Sequence, residues 1–108
     1  MNIEITARHF SASDSLKDLI YEKIKKIKRY NSDIMSCHVI LTKENNSENV
    51  EIVARTKGYD FVAHENASIF ERSLVNAIEK LSIQIKKQHQ KLLMLQFYLA
   101  KLQKKLLI

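Results

Sequence analysis

The stretch MSCHVILTKENNSENVEIVARTKGYDFVA, residues 35–63, decides the fold. Met35, Cys37, Val39 and Leu41 alternate with Ser36, His38 and Thr42. Val50, Ile52 and Ala54 alternate with Glu51, Val53 and Arg55, and Tyr59, Phe61 and Ala63 repeat the pattern. Successive side chains on a strand point to opposite faces, so each run is a strand with one buried side. The separators, Asn45-Asn46-Ser47 and Lys57-Gly58, are turn-forming and short, which predicts an antiparallel three-stranded meander. Gly58 is the chain's only glycine and supplies the positive φ a tight turn needs.

Outward from the meander, Ile3, Ile5 and Ala7 alternate with Glu4, Thr6 and Arg8, predicting a strand over residues 2–8. Ser13 reads as a helix N-cap, with Asp14 and Asp18 near the positive end of the helix dipole. Leu16, Leu19, Ile20, Ile24 and Ile27 then recur at helical spacing, and the far end is rich in Lys and Arg, before Asn31-Ser32-Asp33 breaks the helix. From about Ala67 the period becomes helical and stays so to the end. Leu74, Ile78, Leu81, Ile85, Gln88, Leu92, Leu95, Leu99, Leu102 and Leu106 step by four and three without a slip, and no glycine or proline interrupts them. The order β-α-β-β-β-α predicts a two-layer α+β domain: a four-stranded sheet with two helices on one face, the second unusually long.

The 108 residues allow one domain of ordinary size. Hydrophobic residues at 45% can supply a core, and 18 basic against 12 acidic residues leave +6, which points to a polyanionic partner. A single cysteine excludes an internal disulfide and fits a reducing compartment, the cytoplasm. The N-terminus reads as neither a signal peptide nor a membrane span, so no membrane partner is expected.

No catalytic constellation is legible. His9, His38, His64 and His89 do not combine with carboxylates or Cys37 at metal-ligand spacing, so neither a metal nor a cofactor is expected. Cys37 lies on the apolar side of its strand and reads as a small buried hydrophobe. The cations are more informative. At 100° per residue, Lys80, Lys87 and Lys91 fall within about 40° of one another, beside the apolar face of the second helix. Lys25, Lys26 and Arg29 gather on one flank of the first, and Lys23 falls inside the apolar arc with its ammonium free to reach solvent. Two such flanks on adjacent helices predict a common basic groove. Lysine outnumbers arginine 14 to 4, which favours reading phosphates and shape over base identity, as structured RNA is read.

Several segments resemble the ribosome hibernation-promoting factors, the family that includes ribosome-associated inhibitor A. These are Asn2-Ile3-Glu4-Ile5-Thr6; Leu16-Lys17-Asp18 through Glu22-Lys23-Ile24 to Lys26-Ile27-Lys28-Arg29-Tyr30; and Lys80-Leu81, Gln84-Ile85-Lys86-Lys87 and Lys91. The resemblance covers residues 1–91 and is closest to the short members. It implies a non-enzymatic bacterial protein that binds the small ribosomal subunit (16S rRNA) and the 70S ribosome, in the mRNA and tRNA channel, and silences idle ribosomes under stress. It implies RNA contacts from Lys23, Lys26, Arg29, Lys80, Lys86, Lys87 and Lys91. Lys86 lies on the other flank of its helix and rests on the resemblance alone. Two departures stand out: Ile69-Phe70-Glu71 replaces the usual acidic-apolar-aromatic triplet, and Ile83 stands where an arginine is usual.

Residues 92–108, LLMLQFYLAKLQKKLLI, are unlike the polar tails usual in short members. They divide the chain into a ribosome-binding domain, 1–91, and an apolar helical tail continuing the last helix. A projecting apolar helix needs a partner, and its four-three spacing suggests a homo-oligomer through a coiled-coil seam. A membrane-surface helix is the competing reading of the tail, and a tail packed on its own domain and a disordered end are the plainer ones. Two further functional readings stay open on the residues alone: a general double-stranded-RNA-binding module, and a structural adaptor working through the tail.

Overall fold

The computed structural model describes residues 1–106. Strand β1 (Asn2–Arg8) leads into helix α1 (Asp14–Lys25), whose end tightens into a 3-10 turn over Lys26–Arg29. Strands β2 (Ser36–Lys43), β3 (Glu48–Arg55) and β4 (Asp60–Ala67) follow, then helix α2 (Phe70–Leu106). The sheet order is β1-β2-β3-β4, with β1 parallel to β2 and the other pairs antiparallel. The parallel pair follows from α1, which carries the chain back across the sheet, whereas the short turns permit only antiparallel neighbours.

The register aligns the alternating faces. Ile5 pairs with Val39, Val39 with Ile52, and Ile52 with Ala63, so one row of inward side chains crosses all four strands. Both helices cover that face. Ile20, Ile24 and Ile27 share one core with Leu74, Ala77, Leu81 and Ile85, and α2 lies over β3 and β4 while α1 packs beside β1. Ser13 caps α1 as its type requires: its Oγ accepts from the Leu16 N–H at 3.1 Å. Gly58 has φ +108°, in the turn before β4.

Three boundaries differ from the sequence reading. α2 begins at Phe70 rather than near Ala67, because β4 continues to Ala67, opposite Glu48. Glu48 then fixes the helix start. Its Oε1 accepts from the Phe70 N–H at 3.0 Å, and its carbonyl accepts from the buried Ser73 hydroxyl. A carboxylate at a helix N-terminus satisfies an orphan donor and opposes the dipole, and here it comes from 22 residues away. Met35 is 55% exposed, since Ile34 takes the buried place ahead of β2. The Met35 backbone is held instead, its N–H donating to the Arg55 carbonyl and its carbonyl accepting from Asn2. Tyr59 precedes β4; its carbonyl closes the turn by accepting from Thr56, and its ring meets Phe61 edge-on.

Beyond the sheet α2 continues without interruption, and residues 90–105 are all exposed. The molecule is 65 Å long and 25 by 18 Å across. Among the described residues no helix is long and apolar enough to cross a membrane.

Candidate nucleic-acid interface

The cations of the two helices form two separate surfaces. The first is the groove between α1 and α2. Its floor includes Val75, Ile78 and Ser82 of α2, and its opposite wall carries Lys23, Lys26 and Tyr30. Lys23 is half-buried there, as suits a long side chain whose apolar stem can pack while its charge stays hydrated. Lys86 projects from α2 toward the same groove, with Nζ 5.6 Å from the centre of the Tyr30 ring. One turn further along, Arg29 and Tyr30 face Gln88 and His89 across the cleft that ends the groove. Glu79 stands in its lining, and Asp33 lines the cleft at its end.

The second surface lies on the opposite flank of α2, along β4. Lys87 and Lys91 line a cleft with Gln84, beside Tyr59, Asp60 and Phe61. Gln84 donates to the Val62 carbonyl at 2.8 Å, tying α2 to the edge strand. Lys80 sits on this flank and pairs with Glu65, Nζ to Oε1 3.2 Å. Lys80 is half-exposed and Glu65 less so, and water reaching the pair screens its attraction, so its main effect is to offset the Lys80 charge.

The single basic groove predicted from the helix faces is therefore two. An angular reading finds that Lys80, Lys87 and Lys91 cluster but not which side of α2 the first helix occupies. They face away from α1, and Lys86 is the lysine brought to Lys23, Lys26 and Arg29. Lys25 is exposed on α1. Tyr30 and His89 were not singled out from the sequence as groove residues. Tyr30 ends the family-like segment, a signal that marked its neighbours but not its own placement against Lys86.

Cys37 and His38 lie on the sheet, away from both surfaces. Burial pushes the Cys37 thiol up to about 11, so at neutral pH it stays protonated, beside the Met1 thioether at 3.8 Å. His38 Nε2 lies 2.8 Å from Thr6 Oγ1 on the open sheet face. Among the described residues no three His, Cys, Asp or Glu side chains are grouped to hold a metal.

The family model described as "Sigma 54 modulation protein / S30EA ribosomal protein" matches residues 3–93. The chain belongs to this family. Its members are non-enzymatic binding factors. The ribosome hibernation promoting factor of Azotobacter vinelandii is 26% identical over 91 residues, covering 84% of this chain and 85% of the relative. That of Pseudomonas putida is 24% identical over 91 residues, covering 84% and 89%. Among solved structures, a ribosomal subunit interface protein from Coxiella burnetii superposes with TM-score 0.78 at 20% identity, over 83% of this chain and all but 1% of its own. The N-terminal domain of Thermus thermophilus Protein Y does so with TM-score 0.74 at 22% identity, over 81% and 98%. These two likenesses establish the shared fold. The family match ends at residue 93, so most of the exposed tail lies outside it.

Proposed function

We propose that this chain is a bacterial, cytoplasmic ribosome hibernation factor. It binds the small ribosomal subunit in the mRNA and tRNA channel and silences idle ribosomes under stress. The observation that carries this reading is the pair of cationic surfaces on the two helices of a chain in this family. In it, Lys23, Lys26, Arg29 and Lys86 grip 16S rRNA phosphates from the groove, and Lys80, Lys87 and Lys91 do so from the β4 flank. Lysines are mobile point charges, so these contacts read backbone shape rather than base edges. Ile83, exposed on the outer side of α2, makes no such contact.

Co-sedimentation with purified 30S and 70S particles over a salt series tests the reading, with a generic RNA duplex as control. The chain should follow the 30S peak, ignore the duplex and dissociate as salt rises. Seven phosphate contacts correspond to a log–log salt slope of roughly −5 to −6. Equal binding to duplex and ribosome would replace this reading with a general double-stranded-RNA-binding module. Binding to neither would leave the tail as the working element of a structural adaptor.

A further inference from the structure

The apolar stripe of α2 outlasts the sheet that covers it. Leu74, Leu81 and Ile85 are buried against the core, and the same helical face continues through Gln88 to Leu92, Leu95, Leu99 and Leu102. Those four leucines are between 38% and 53% exposed. We propose that a second copy of this chain covers Leu95, Leu99 and Leu102, the two tails packing antiparallel over residues 95–106. This inference does not rest on ribosome binding.

Three observations select that occupant. The first is the spacing. Steps of three and four keep the leucines on a narrow seam of period 3.5, which is what a partner helix receives. A helix lying on lipid needs one polar face and one apolar face. Here Met94 and Phe97, exposed by 74% and 66%, sit on the side away from the leucine seam, among Lys101 and Lys104. Lys101 Nζ lies 4.8 Å from the centre of the Phe97 ring, so lysines and large apolar side chains are mixed on this side and it is not the continuous polar face a lipid-bound helix presents.

The second is the sheet itself. The face of α2 that carries the seam over the tail carries the sheet over the domain. In a parallel pair both sheets would have to fit between helices that a coiled coil holds about 8–10 Å apart. In an antiparallel pair each domain lies beyond the end of the other's tail, and the seam passes from sheet to partner helix without conflict.

The third is charge. No acidic residue follows Glu79, while Lys80, Lys86, Lys87, Lys91, Lys101, Lys104 and Lys105 do, so any self-association must keep lysines apart. With Leu99 opposite the partner's Leu102, the seam is flanked by Gln96 beside the partner's Gln103 and Tyr98 beside the partner's Lys105. Lys101 and Lys104 then point outward. Sliding inward by a heptad would set Lys91 beside the partner's Lys105, so the outer register is the one that fits. The overlap is about 18 Å long, which places the interface below the standard size and makes the dimer reversible.

Sedimentation equilibrium of the full chain tests this from about 10 µM to about 1 mM, which brackets weak, reversible dimers with Kd in that range. The mass should rise with concentration from the single-chain 12.6 kDa toward twice that value. The exposed double substitution Leu95→Glu/Leu99→Glu should hold it at 12.6 kDa throughout, with the domain's urea midpoint unchanged. Mixed Tyr98→Cys and Lys105→Cys chains should cross-link on oxidation, whereas Lys91→Cys chains should not cross-link to themselves. A constant single-chain mass overturns the proposal, as does a dimer that survives the double substitution or a self-cross-link at residue 91. A single-chain species that floats with phosphatidylglycerol vesicles overturns it in favour of a lipid surface. No ribosome is present, so failure here leaves the proposed function untouched.

Discussion

Helix α2 runs through two environments on one pattern. Over Phe70–Ile85 its leucine and isoleucine stripe is buried against β3 and β4, and the flanks from Lys80 to Lys91 carry the candidate RNA contacts. Past Lys91 the stripe repeats with the same spacing, on a stretch of helix that is exposed over residues 92–105. The difference teaches that periodicity states which face must be covered and leaves the covering element to tertiary structure. It also separates two roles. The domain half is where charge is held in fixed geometry against a second helix, and the tail half is where apolar surface is left over.

Substitutions that treat the two halves alike test that separation. Leu81→Ala removes a fully buried side chain and should cost about 2–5 kcal/mol in urea unfolding. Leu95→Ala, at 53% exposed, should stay within about 0.5 kcal/mol in dilute solution. Equal costs would mean that the tail is packed on its own domain. At the junction of β4 and α2, Glu48→Ala strips the cap from Phe70 and should cost about 1 kcal/mol, read as a lower urea midpoint with unchanged slope. A change within error would show that water replaces the carboxylate.

Smaller effects sharpen the comparison between the two cationic surfaces. Lys86→Met and Lys87→Met should each lower ribosome affinity and flatten the salt slope by about 0.7–0.9, without changing stability. Lys80→Met should do less, because Glu65 already offsets that charge. Equal losses at Lys80 and Lys87 would place Glu65 out of the pair once RNA is bound. The weakest effect concerns Cys37. Its folded pKa is raised from 9.0 to about 11, so the unfolded chain loses that proton first as pH rises. Its contribution is intact below pH 9 and is lost as pH climbs toward 11. A Cys37→Ala chain should therefore show a shallower loss of stability in that window, measured by urea midpoints.

Most of the fold was legible because strands and helices bury one face each. The alternation of Cys37, Val39 and Leu41, and of Val50, Ile52 and Ala54, survives as the inward face of the sheet. The start of α2 was not legible, because the cap that sets it belongs to Glu48 on another strand. Nor could one helix's angles say which cations face a second helix, so Lys86 and Tyr30 met across the groove while Lys80, Lys87 and Lys91 faced β4. Spacing along an element is local information; the side on which a neighbour packs is not.

The most direct test reverses charge in each half and measures 30S co-sedimentation at fixed salt. The account predicts that Lys23→Glu/Lys26→Glu/Lys80→Glu/Lys87→Glu abolishes binding while the circular dichroism spectrum is unchanged, and that Lys101→Glu/Lys104→Glu/Lys105→Glu leaves most binding in place. Loss of binding through the tail substitutions alone, with the domain reversals tolerated, would contradict it.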